Sequence, residues 1–69
     1  MTYALIYYKT HTGMLRHIDA TSPKSMWDGI NKVLDKGYTV TEVNIFGQGW
    51  CKKYTLHFDL YGEPVLREF

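Results

Sequence analysis

The sequence predicts an α+β domain in which one amphipathic helix packs on a mostly antiparallel sheet of four or five strands, in the order ββαβββ. Three features predict it. Met26, Trp27, Ile30, Val33 and Leu34 recur with the 3.6-residue period of a single helical stripe. Runs such as YALIYY and KYTLHFDLYG are rich in β-branched and aromatic side chains and are too short or too strictly alternating for a helix. Glycine-containing segments at short intervals join the strands locally, and local joins make antiparallel neighbours.

The elements follow in order. Residues 3–8 are apolar throughout and read as a central strand. KTHTG turns the chain, with Gly13 free to take a positive φ. Residues 14–20 return as a second strand, with Met14, Arg16, Ile18 and Ala20 on one face and Leu15, His17 and Asp19 on the other. Ser22 is the expected N-cap and Pro23 the first helical residue, where a missing N–H costs nothing. Asp28 and Lys32 are spaced to form an i,i+4 ion pair. Gly37 supplies a left-handed stop, over which Tyr38 closes. Gly29, costly inside a helix, implies that a strand or ring passes close to it.

Residues 38–46 form the third strand. Val40 has the opposite parity from Val43 and Ile45, which predicts a twist or a bulge near Thr41–Glu42. GQG at 47–49 is a hairpin tip with two flexible positions. A long strand then runs from Trp50 to Tyr61, and after a GEP turn VLREF closes the sheet as an edge strand. In the long strand Tyr54, Leu56, Phe58 and Leu60 alternate with Thr55, His57, Asp59 and Tyr61. The first set is expected beneath the helix stripe. A helix of about fifteen residues spans ~22 Å and covers one face of such a sheet, so the second set lies on an open face.

Sixty-nine residues make a single domain, 1–69. A domain this small is marginal without help, and the lone Cys51 provides no internal disulfide. Cys51, His11, His17 and His57 lack the paired spacing of a structural zinc site, so neither metal nor cofactor is expected. A 45% apolar, 16% aromatic composition favours a dense core. The formal net charge of +1 excludes an acidic mimic of DNA and offers no strongly basic footprint for nucleic acid. No apolar run approaches a membrane span. MTYALIYYK has no basic n-region or cleavage site and reads as a strand rather than a signal peptide. A free thiol without an export signal points to a cytoplasmic protein.

Both parity classes of residues 3–8 are apolar, so whichever class faces away from the helix puts apolar side chains on the open face. A face of that kind suggests a covering, by a second copy of the chain, a partner protein or the chain's own GQGWCKK segment; the alternative is that the tyrosines stand exposed, each with its polar tip in water. His17 and His57 share the open face in this reading and are candidate neighbours with Asp19 or Asp59. Cys51 sits between Trp50 and Lys52 as a small hydrophobe rather than in a paired nucleophile motif. Neither set outweighs an ordinary structural role, and no enzyme is expected. GQG is followed by a strand and lacks the lysine and helix of a phosphate-binding loop.

The segment DATSPKSMWDGINKVLDKGYTVTEVNIF, 28 of the 69 residues, carries a strand end, a capped helix, a glycine stop and a YTVTEV strand. That layout resembles the middle of small inhibitor proteins encoded by bacteriophages and mobile elements, of the host-takeover and anti-CRISPR types. The resemblance implies action by binding rather than turnover and carries no motif from which individual roles transfer. The expected function is a small non-catalytic protein-binding module, an inhibitor that masks a site on a bacterial protein or complex. Its partner-binding candidates are Tyr7, His17, Gln48, Trp50, Lys52, Lys53, His57 and Tyr61. The alternative is a single-stranded nucleic-acid module that stacks bases on sheet tyrosines and holds phosphates with Lys52 and Lys53.

Overall fold

A computed structural model describes all 69 residues. The elements are β1 (Ala4–Lys9), β2 (Leu15–Ala20), α1 (Pro23–Asp35), β3 (Thr39–Gly47), β4 (Trp50–Phe58) and β5 (Pro64–Glu68). The five strands form one sheet in the order β2-β1-β3-β4-β5, with every neighbouring pair antiparallel. The α+β class and the ββαβββ order are those the sequence predicts. The connection through α1 carries the chain over β1, so β2 and β3 flank it.

The helix begins and ends by local chemistry. Ser22 Oγ accepts from the Ser25 amide at 3.1 Å, and Ser25 Oγ accepts from the Ser22 amide at 3.0 Å. This reciprocal capping box satisfies donors that have no intrahelical partner. At the other end Gly37 takes φ 77°, its amide donates to the Leu34 carbonyl, and the Tyr38 amide donates to Val33. That pair of bonds is a Schellman stop. His11, from the β1–β2 turn, donates through Nε2 to the Lys36 carbonyl at 3.1 Å. Tyr38 stacks on Tyr8 with ring centroids 5.7 Å apart and meets His11 edge-on. The expected Asp28–Lys32 pair does not form. Asp28 instead meets Lys24 at 3.2 Å, an exposed pair worth little to stability.

The core is small. Ala4, Ile6, Ala20, Met26, Ile30 and Val43 form one buried cluster between α1 and the sheet. Thus Ala4 and Ile6 are the class of β1 that meets the helix, while Leu5 and Tyr7 point away. A Cβ on Gly29 would lie 2.9 Å from Ile6 Cδ1, so the glycine admits β1 close to the helix axis. The bulge foreseen in β3 is present. Tyr7 opposes Glu42 while Tyr8 opposes Val40, leaving Thr41 as the extra residue, and its hydroxyl donates to the Tyr7 carbonyl at 3.2 Å. The bulge returns Val40 to the core side.

Two expectations about β4 fail. The strand stops at Phe58 rather than continuing to Tyr61. Asp59 Oδ1 accepts the amides of Tyr61 at 2.8 Å and Glu63 at 2.9 Å, and Gly62 takes φ 78°. The Asp59 side chain thus builds the turn that the alternation pattern concealed. Leu60 and Tyr61 belong to that turn, and Leu60 is 100% exposed. The second failure concerns cover. The helix packs on β1, β2 and β3, and the β4–β5 hairpin extends past it. Tyr54, Leu56 and Leu66 reach the margin of the core, but Phe58 is 55% exposed. The reason is width. A helix is about 10 Å across whereas five strands at ~4.8 Å spacing span more than twice that.

Ile30→Ala is therefore expected to cost about 2–5 kcal/mol by leaving a cavity in a core of this kind. Leu60→Ala is expected to stay within about 0.5 kcal/mol of the parent, as exposed positions do. Urea melts of the two variants check the assignment, and a large loss at Leu60 would contradict it.

Candidate functional site

Cross-strand partners share a face, so the register lists what lies opposite α1. One row sets His17 beside Tyr7 and Tyr7 beside Glu42. The next sets Asp19 beside Leu5, Leu5 beside Asn44, and Asn44 beside Lys53. Phe46 opposes Cys51, Thr55 opposes Arg67, and His57 opposes Val65. Leu5, Tyr7 and Phe46 are half-buried by their neighbours' side chains, with no backbone layer above them. The GQGWCKK segment does not fold across this face, because it forms the β3–β4 turn and the start of β4.

The chemistry-bearing side chains are dispersed. His17 and His57 share the open face but stand on β2 and β4, with β1 and β3 between them. Three strand spacings, about 14 Å, separate them, so the neighbouring pair expected from the sequence does not exist. His17 instead lies 3.8 Å from Asp19 and 5.8 Å, ring to ring, from Tyr7. His57 Nε2 sits 2.7 Å from Thr55 Oγ1. Asp59 is in the turn. Cys51 is free and exposed on the open face. No three of His, Cys, Asp and Glu gather in ligand geometry. Two shallow depressions flank Phe46, walled by Met1, Thr2 and, in one, Gln48.

Lys52 and Lys53, successive on a strand, point to opposite faces. Lys53 joins the open face. Lys52 stays on the helix side, 3.9 Å from Glu68 and 5.6 Å from the centre of the Trp50 ring. The tyrosines scatter likewise: Tyr7 on the open face, Tyr54 on the helix side, Tyr61 in the turn and Tyr8 against Tyr38. The stacking platform with adjacent lysines is therefore not assembled. The Trp50 ring occupies the space beside Gly47, where any Cβ would collide with it. That contact, not backbone freedom, requires the first glycine of GQG, whereas Gly49 takes φ 77°.

The residue that sequence reasoning missed is Asn44. It is 9% exposed, the single buried polar side chain, and its Oδ1 has no hydrogen-bond partner within the chain. It occupies the middle of the open face, between Leu5 and Lys53. The signal available beforehand was a polar residue between Val43 and Ile45, and alternation alone gave it an ordinary solvent-facing role.

Comparison with protein-family models, with curated proteins and with solved structures finds no match for this chain. No helix is long and apolar enough to cross a membrane.

An unpaired buried acceptor costs about 1–3 kcal/mol. Asn44→Leu, close in shape, is expected to raise stability by that order. The urea midpoint measures it, and a lowered midpoint would show that the amide makes contacts the fold needs.

Proposed function

We propose that this chain is a small non-catalytic protein-binding module that occupies a site on another protein through the sheet face opposite α1. One observation carries the reading. That face sets the half-buried Leu5, Tyr7 and Phe46 about the buried Asn44, with His17 and Asp19 on the β2 side and Glu42, Lys53 and Arg67 toward β5. An apolar centre inside a polar rim, with aromatic and arginine anchors, is the anatomy of a non-obligate protein interface.

Asn44 supports the same reading. Its stability cost, at the centre of the patch, fits a residue kept for what it contacts rather than for the fold. The separation of His17, His57 and Cys51 favours binding over turnover. Among the residues nominated from sequence, Tyr7, His17, Lys53 and His57 lie on this face, and Tyr7 is the anchor. Trp50, Lys52 and Tyr61 lie off it, and Gln48, in the β3–β4 turn, borders it beside Phe46. Such a module inhibits when the site it covers is one its target needs, the mode implied by the resemblance to phage-encoded host-takeover proteins.

Capture from bacterial lysate on the immobilised chain tests the proposal. Wild type and a Lys24→Ser control on the outer helix face are expected to retain the same protein. Tyr7→Ser is expected to retain at least about tenfold less, the loss typical of a central aromatic anchor. Equal capture by Tyr7→Ser, with its fold intact by circular dichroism, would contradict it.

A further inference from the structure

The sheet has two free edges, β5 and β2, and they differ. On β5 the Asp59 amide donates to the Glu63 carbonyl and the Phe69 amide to the Lys53 carbonyl, both in the register of the β4–β5 ladder. Hydrogen-bonded pairs alternate along an antiparallel ladder, so the backbone of Pro64, Leu66 and Glu68 points outward. Pro64 has no amide hydrogen to offer there, which blunts this edge. On β2 the Thr10 amide donates to the Met14 carbonyl, in the register of the β1–β2 ladder. The same alternation turns the amides and carbonyls of Leu15, His17 and Asp19 outward. This strand has no proline and pairs with β1 without a bulge, and Leu15, Arg16, His17 and Asp19 are exposed. A regular open edge of this kind is a template for one more strand.

We propose that β2 pairs with β2 of a second copy of the chain, antiparallel across a two-fold axis at Ile18, so that the two sheets become one. The register selects that occupant. Pairing about Ile18 sets His17 opposite Asp19 of the second copy, and Asp19 opposite its His17. Both residues turn their backbone outward, so the two pairs bring four main-chain hydrogen bonds. His17 Nε2 already lies 3.8 Å from Asp19 Oδ1 of its own strand. In the paired edges the four side chains therefore alternate, imidazole beside carboxylate, across the strands as well as along them. An edge bearing one sign of charge repels its own copy, whereas this edge complements itself, as a two-fold interface requires.

The helix side of the same register agrees. Ile18 meets Ile18 as a non-hydrogen-bonded pair, the kind that brings side chains closest. Arg16 faces Ala20, whose side chain is too small to obstruct it. A register centred on His17 does less well, because it sets His17 against itself and Leu15 against Asp19.

The helices leave room for this pairing. α1 rides over β1, with β2 and β3 on either side. The β1 strands of two copies stand three strand spacings apart, about 14 Å, and a helix is about 10 Å across. Two edges of six residues make a small interface, of the class that dissociates on dilution. Pairing at this edge leaves Leu5, Tyr7 and Phe46 uncovered, so it and the proposed partner site can fail separately.

Sedimentation and amide hydrogen exchange of the full chain, from micromolar to millimolar concentration, test the pairing. Wild type is expected to move from the 8.1 kDa chain mass toward twice that value. Over the same range the amides of His17 and Asp19 are expected to slow by about tenfold, and those of Arg16 and Ile18, already bonded to β1, to change far less. His17→Asp, which sets carboxylate against carboxylate, is expected to stay monomeric. Its equimolar mixture with Asp19→His restores imidazole against carboxylate in both pairs and is expected to recover the dimer. A wild type that is monomeric at every concentration overturns the proposal. A dimer in which the His17 and Asp19 amides exchange as fast as in dilute solution overturns it too. So does a His17→Asp variant that dimerises as well as wild type, or a mixture that recovers nothing.

Discussion

The width of one helix governs this protein. Strands repeat every ~4.8 Å across a sheet, and a helix with its side chains is about 10 Å wide. One helix therefore roofs two or three strands, and here it roofs β1, β2 and β3. Everything else follows from that ratio. The buried cluster is confined to the region under α1, because only there do two layers meet. The β4–β5 hairpin is held through hydrogen bonds and through Tyr54, Leu56 and Leu66 at the margin of that cluster, and its Phe58 is left in the open. The reverse of the sheet has no second layer at all.

A fold with so small a core depends on the accuracy of its ends and turns. The two capping serines, the Schellman stop at Gly37 and the His11–Lys36 link fix where α1 begins and ends relative to β1. The tie from His11 is notable for its reach, since it connects the first hairpin to the far end of the helix. Two hairpin turns use the same device. Thr10 and Asp59 each accept amides through the side chain, and Gly13 and Gly62 each close the turn with positive φ. These polar contacts contribute modestly one by one. Together they set the register on which the surface rows depend.

What the sequence revealed was what is local. The helix with its cap and stop, the reason for Gly29, and the Thr41 bulge were legible because each is decided within a few residues or by parity. Three things were not. Both parity classes of YALIYY are apolar, so the pattern could not say that Ala4 and Ile6 rather than Leu5 and Tyr7 meet the helix. The distance between His17 and His57 depends on strand order, which the crossover over β1 decides far from either residue. Leu60 continued the alternation of β4 by composition alone, while the Asp59 side chain and Gly62 ended the strand. The length of the helix, which periodicity reveals, sets its reach along the strands, whereas its breadth sets how many strands it covers. Of the nominated site residues, those on β2 and β4 take a face by parity, whereas Tyr7 on β1 needed the observed pairing, as did Asn44 to stand out.

The most direct measurement is a nuclear Overhauser spectrum of the chain at low concentration, read from the side chain of Ile30. Ile30 is fully buried beneath its own helix, so no second molecule reaches it. If α1 covers three strands, Ile30 shows cross-peaks to Ile6 and Val43 and none to the Phe58 ring. A cross-peak between Ile30 and Phe58 would mean that the helix lies across β4 and would contradict the account of a helix that roofs only β1, β2 and β3.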